Sequence, residues 1–97
     1  MKFNVFGKIV TLKEVKNLSS DRGIYGEYNP KSSVIIISKE LKGDIRKITE
    51  LHEFFHSCIN RLGLHNAQLS SDLEEILVDG LATALVENAS IKWKKTK

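Results

Sequence analysis

The chain opens with two short runs rich in β-branched and aromatic residues, Phe3 to Val5 and Lys8 to Val15, with Gly7 between them where a tight turn falls. This pattern predicts a β-hairpin. Asn17 to Arg22 is polar and reads as a loop, with Leu18 reaching back toward a core. Gly23 to Tyr28 and Ser33 to Ser38 form a second predicted strand pair around Asn29-Pro30-Lys31, where proline presets φ and asparagine favours turn geometry. Val34-Ile35-Ile36-Ile37 has no polar alternation. It predicts a strand covered on both faces, or one covered by helices on one face and by sheet curvature on the other. Tyr25 and Tyr28 fall on opposite faces by period-two counting, so at most one belongs to the core.

At Lys42-Gly43-Asp44 the period changes from two to 3.6. Asp44 is placed to cap a helix that runs to about Leu62, with Gly63 just beyond its C-terminus. Ile45, Ile48, Leu51, Phe55, Ile59 and Leu62 make one apolar stripe along it. His52 and His56 border that stripe, Thr49 and Asn60 lie on their polar side near Glu53, and Cys58 falls on the far side as a small buried hydrophobe. Ser71-Asp72-Leu73-Glu74 reads as a capping box opening a last helix, which ends near Glu87 or Asn88. Its apolar residues, Ile76, Leu77, Val78, Leu81, Ala82, Ala84, Leu85 and Val86, cover most of the circumference, so burial of the whole helix is expected. The fold class that follows is α+β in one domain. A small antiparallel or mixed sheet of about four strands (residues 1–42) packs on a helix (43–63) and a C-terminal helix (70–90), followed by a basic tail (91–97).

Composition narrows the class. At 97 residues, 41% hydrophobic and 28% charged, the chain has the make-up of a small globular domain, and no apolar run reaches membrane-spanning length. Met1 to Lys8 has no signal-peptide apolar core, and Cys58 is the sole cysteine, so a cytoplasmic protein without an internal disulfide is expected. The net charge of +3 comes from Lys92, Lys94, Lys95 and Lys97, without which eleven basic residues face twelve acidic ones. No aromatic and basic residues interleave along a strand, so nucleic acid is not the expected partner, and an accessory role through the tail is the third-ranked reading.

The chemistry lies in His52-Glu53-Phe54-Phe55-His56. On a helix the two histidines stand one turn apart and about 40° around the axis, so both imidazoles reach one ion, while Glu53, about 100° from His52, sits at the edge of the same face. Two neutral imidazoles with a carboxylate beside them make a hydrolytic zinc site. A third ligand is sought on the last helix, because a buried helix does not carry unpaired carboxylates. Glu75 and Asp79 are at i and i+4 on one face of it. Glu75 is assigned as the third zinc ligand and Asp79 as the acceptor of the free ring N–H of a ligand histidine, His52 by preference. Glu74 is the rival ligand, although the capping box gives it other work. Ion pairs from Glu75 and Asp79 to Arg46 or Arg61 are the alternative without a metal. His65, in the loop, stays open.

His52-Glu53-x-x-His56, with Glu75-x-x-x-Asp79 beginning nineteen residues after His56, resembles the gluzincin pattern of thermolysin-like metallopeptidases. It is also similar to ImmA/IrrE-type metallopeptidases and to small HExxH proteins encoded by phages and prophages, which match best in overall plan. The resemblance implies a minimal zincin with zinc on His52, His56 and Glu75, Glu53 as general base and Asp79 orienting a histidine. It also implies an edge strand, Val34 to Ser38, that aligns an extended peptide. The implied activity is hydrolysis of a peptide bond in one intracellular protein partner, in a host cytoplasm if the protein is phage-encoded. The runner-up is a non-catalytic binding module on the same scaffold. Where ImmA-type proteins carry Ala-Asn-x-Phe-Ala, this chain has Val78-Asp79-Gly80-Leu81-Ala82. No position matches a transition-state-stabilising Tyr or His, for which His65, Tyr25 and Tyr28 are the candidates. Oligomeric state is not legible in the residues.

Overall fold

The computed structural model describes residues 1–94. Strands β1 (Lys2–Val5) and β2 (Lys8–Val15) form the expected hairpin. They are joined at Phe6 and Gly7, which both have positive φ (50° and 85°), the turn handedness that matches the twist of paired strands. The polar stretch after β2 is a short helix, α1 (Leu18–Arg22), rather than a loop, and Leu18 is buried as the sequence indicates. Strands β3 (Gly26–Asn29) and β4 (Val34–Ser38) pair antiparallel around the Asn29 turn, where Asn29 Oδ1 accepts from the Lys31 and Ser32 amides.

The sheet order is β1-β2-β4-β3, with β2 and β4 parallel. The route from β2 to β4 runs through α1 and β3, so β4 drops into the middle of the sheet and β3 takes the outside. Val34–Ser38 is therefore an interior strand, and its expected role as the substrate-aligning edge is corrected. The edge strand beside the helices is β3, which touches the histidine helix. Burial along β4 alternates after all: Ile35 and Ile37 are fully buried and Val34 and Ile36 half-buried, so only one face is covered by helices. Phe3, Val5, Val10, Leu12, Ile35 and Ile37 line that face, and Tyr28, Leu41, Phe54, Cys58 and Trp93 pack against them.

Helix α2 (Gly43–Leu62) lies across this face and α3 (Ser71–Asn88) packs on α2. The helix starts two residues earlier than a cap at Asp44 places it. Lys42 occupies the N-cap position without a side-chain hydrogen bond, so Asp44 sits in the first turn, where its charge still suits the positive end of the helix. Gly63, with φ of 70°, ends it. The buried set of α2 differs from the expected stripe: Leu51 and Ile59 are buried, but Ile45 and Leu62 are exposed at the ends. Thr49, Glu50, Glu53 and Ser57 are buried instead, on the side turned to β3 and the sheet.

Glu50 is satisfied by Arg46 (2.8 Å), Lys47 (3.5 Å) and the Trp93 indole N–H (3.0 Å). Burial pushes its carboxyl up, but the bonds from Arg46 and Trp93 outweigh that and hold it below the usual range. Trp93 also packs against Phe3 and Phe54, its ring tilted to both. The basic tail is thus docked up to Trp93, whereas Lys95 and Lys97 lie outside the described residues.

Two expectations for α3 fail. Its cap is Ser70, whose hydroxyl accepts from the Leu73 amide, so the Ser71–Glu74 capping box does not form. Nor is the helix buried. Only Val78 and Ala82 are, while Leu73, Ile76, Leu77, Leu81 and Leu85 face outward. With α2 as its main neighbour among the described elements, α3 covers little more than one i, i+4 row, which begins at the half-buried Glu74 and continues through Val78 and Ala82.

Candidate metal centre

His52 and His56 stand one turn apart on α2 with ring centroids 4.8 Å apart. Glu75 reaches over from the first turns of α3, with Oε2 3.3 Å from His52 Nε2 and Oε1 3.0 Å from His56 Nε2. One ligand atom from each of the three residues lies within 4.8 Å of the others. Metal–ligand distances of about 2.0–2.2 Å in a tetrahedron separate neighbouring ligand atoms by about 3.4 Å, close to both Glu75 contacts. Two imidazoles and a carboxylate are a donor set for a divalent ion of borderline softness. By distance, donor type and openness to the cleft the three residues fit one such ion.

Glu75 and Asp79 are not the buried carboxylates expected of α3. The carboxylates of Glu75 and Asp79 are 61% and 69% exposed, so desolvation does not force them to find a cation. Their position does the work instead, since both flank the packed row of α3 on the side of His52. The rival ion pairs are absent: Arg46 is bonded to Glu14 and Glu50, and Arg61 reaches the backbone carbonyls of Val5 and Phe6.

The ring nitrogens turned away from Glu75 have carboxylates of their own. Asp79 Oδ1 faces His52 Nδ1 at 3.6 Å, on the histidine expected of it though beyond hydrogen-bond length. Glu74 Oε2 is hydrogen-bonded to His56 Nδ1. Glu74 is therefore the His56-orienting group, a role the sequence reading missed because it gave this residue to a cap. The available signal was its place four residues before Val78, on the row that α3 buries. Its other oxygen meets His65 Nε2, and His65 Nδ1 lies 2.9 Å from the Leu69 carbonyl oxygen.

Glu53 is buried, at 8% exposure, beside the pair. Burial pushes its carboxyl up to about 7, with Glu75 and Glu27 adding to the rise, against opposing effects of His56 and a backbone hydrogen bond from Tyr28. A carboxyl that titrates near neutrality can both take and return a proton at physiological pH.

The close approach of β3 to α2 depends on Gly26. A Cβ there would come within 2.9 Å of both Thr49 Cγ2 and Ile37 Cδ1. Since Ser38 N–H bonds the Tyr25 carbonyl and Ser33 N–H bonds that of Asn29, alternation turns the amide groups of Gly26 and Tyr28 to the open edge, toward α2. Two connected clefts result. One, of about 530 Å³, is bounded by Gly26 to Tyr28, His56, Asn60, His65, Glu74 and Glu75. The other, of about 470 Å³, is lined by Ile24, Tyr25, Ile45 and Ile48 with His52, Glu53 and Asp79 at its polar end. Tyr25 is exposed in the second cleft, and Tyr28 in the first donates its hydroxyl to Asn60 Oδ1 at 3.2 Å. Cys58 packs into the sheet core, where burial pushes its thiol up. No described helix is long and apolar enough to cross a membrane. No family model, curated protein or solved structure matches the chain.

Proposed function

We propose that the protein is a zinc-dependent metallopeptidase-like hydrolase acting on an extended segment of a partner protein in the cytoplasm. The observation that carries this reading is the convergence of His52 Nε2, His56 Nε2 and both Glu75 oxygens beside a buried carboxylate that titrates near neutrality. An ion held there supplies Lewis acidity and a bound water of lowered pKa. His52, His56 and Glu75 would hold it, with Asp79 and Glu74 fixing ring orientation from behind.

Glu53 takes the proton from the attacking water and delivers it to the leaving amine. The open edge of β3 gives an extended peptide backbone groups to pair with, and the cleft of Ile24, Tyr25, Ile45 and Ile48 takes an apolar side chain next to the scissile bond. Incubation of the zinc-loaded protein with a peptide library, followed by mass spectrometry, tests the reading. Cleavage beside apolar residues is expected, and the Glu53→Gln variant should retain zinc and lose hydrolysis. Undiminished cleavage by that variant would refute the mechanism.

A second reading, a binding module in which the ion is structural, is favoured by one observation. The three ligands join α2 to a helix that otherwise buries only Val78 and Ala82, so an ion would act as a staple between them. Loss of α3 helicity on chelation, with no cleavage by the loaded protein, would select this reading.

A further inference from the structure

On the side of α3 turned away from α2, apolar surface is left uncovered. At about 100° per residue, Leu73, Leu77, Gly80 and Ala84 fall on one line of the helix, with Ile76 on one flank and Leu81 on the other. Leu73, Ile76, Leu77 and Leu81 are 46–68% exposed. The packed residues Val78 and Ala82 lie about 130–170° around the helix from this line, and so do Glu75 and Asp79, which face the histidines.

Gly80 stands in the middle of the line. Glycine weakens a helix interior more than any residue except proline, and it suits places where another backbone or side chain must come close. Among the described residues nothing requires it here, since a Cβ at Gly80 would meet no atom within 4 Å. The order of sizes along the line is large, large, small, small. Read from the other end it is small, small, large, large, so the line complements itself only when two copies of the helix run antiparallel. With the two-fold axis level with Val78 and Asp79, Leu73 of each copy lies over Ala84 of the other and Leu77 lies over Gly80. Parallel helices would instead set Leu against Leu and leave a gap at Gly80.

Charge agrees with this pairing. From Leu73 to Ala84 the line is uncharged, and Glu87, its next position, comes beside Ser70 of the other copy, the N-cap of α3, where a negative charge is favoured. The four large side chains expose roughly 400 Å² per copy, and with the atoms beside Gly80, Thr83 and Ala84 a pair covers about 1,000 Å² in total, the least that a specific interface uses.

We infer that α3 is a dimerisation helix: two copies of this chain associate through antiparallel α3 helices, Leu73 and Leu77 of each seated on Ala84 and Gly80 of the other. Both histidine clefts stay open in this dimer, because Glu75 and Asp79 lie away from the seam. The inference rests on the packing of α3 and is independent of any metal.

Sedimentation equilibrium of the full chain tests it. An interface of this size gives a dissociation constant on the order of 10 µM, so a monomer at about 1 µM and a dimer at about 500 µM are expected. Gly80→Leu adds a side chain that enters open space in its own chain but meets Leu77 of the other copy. It should keep the helical circular dichroism of the wild type and raise the dissociation constant at least about tenfold. Leu77→Lys, which brings two charges into the seam, is the second variant with the same expected outcome; denaturant unfolding at about 1 µM reads its folding apart from its association. In oxidised mixtures of Leu73→Cys and Ala84→Cys chains, mass spectrometry should find the disulfide between positions 73 and 84 of different copies. A wild type still monomeric at 500 µM would overturn the inference and leave this face to a different protein. An undiminished dimer in folded Gly80→Leu, or disulfides chiefly from 73 to 73, would overturn it as well.

Discussion

Replacing Glu53 by Gln should stabilise the metal-free protein at alkaline pH and leave it unchanged in acid. The Glu53 carboxyl rises from an ordinary 4.5 to about 7, first because it is buried. At about 1.36 kcal/mol per pH unit, the ionised form costs the fold up to about 3 kcal/mol. The sign follows from proton counting. Between pH 4.5 and 7 the native state holds the proton more tightly than the unfolded chain does. Wild-type stability therefore falls across that window on account of this group and levels off above it. Glutamine keeps the shape and can still accept the Tyr28 backbone hydrogen bond, but it cannot ionise. Urea unfolding in EDTA, followed by the fluorescence of Trp93, which packs on Phe3 and Phe54, reports the difference. At pH 8 the Gln variant should unfold about 1–3 M higher in urea than wild type, and below pH 4.5 the two should coincide. Stability curves that run parallel from pH 4.5 to 8 would show that burial does not strain this carboxylate, and with that the case for Glu53 as a base tuned to neutrality would fail.

Elemental analysis of Glu75→Ala beside the wild type should show metal lost from the variant; equal metal contents would remove Glu75 from the ligand set. Gly26→Ala should lower stability by about 1–3 kcal/mol in denaturant titration, because the new methyl meets Thr49 and Ile37. Glu50→Ala should cost about 3–5 kcal/mol by the same measurement, since Arg46 and the Trp93 indole lose their buried partner. On α3, Ile76→Lys should shift stability by no more than about 0.5 kcal/mol, whereas Val78→Ala should cost about 2 kcal/mol; a large loss at Ile76 would mean the outer face of the helix is covered.

Local rules carried the reading of individual elements well. The hairpin at Gly7, the Asn29 turn and the helix ending at Gly63 each depend on a few adjacent residues whose backbone preferences act alone. The i, i+4 spacing of His52 and His56, and of Glu75 and Asp79, is likewise fixed by helix geometry, and the sequence suffices to place each pair on one face. The helix caps lie upstream of the residues that local preference marks, by two residues at Lys42 and by one at Ser70. Ser70 and Ser71 offer the same hydroxyl, and only the path of the preceding loop chooses between them.

What the sequence could not determine is which neighbours each face meets. The run Val34 to Ile37 has the same composition at an edge or in the interior, and the crossover from β2 through α1 and β3 decided that it lies inside, leaving β3 beside the histidines. The apolar residues of α3 imply burial on all sides, yet the described elements supply one main packing partner, α2, and most of the others stay exposed. That single contact selected which acid is enclosed: Glu74 falls on the packed row and holds His56, while Glu75 and Asp79 remain at its rim, facing His52. By itself the sequence determined the chemistry-bearing residues and their helical spacing, because these follow from local backbone geometry. The tertiary structure decided which of them touch, because burial depends on segments far apart in the chain meeting, and no local pattern encodes that.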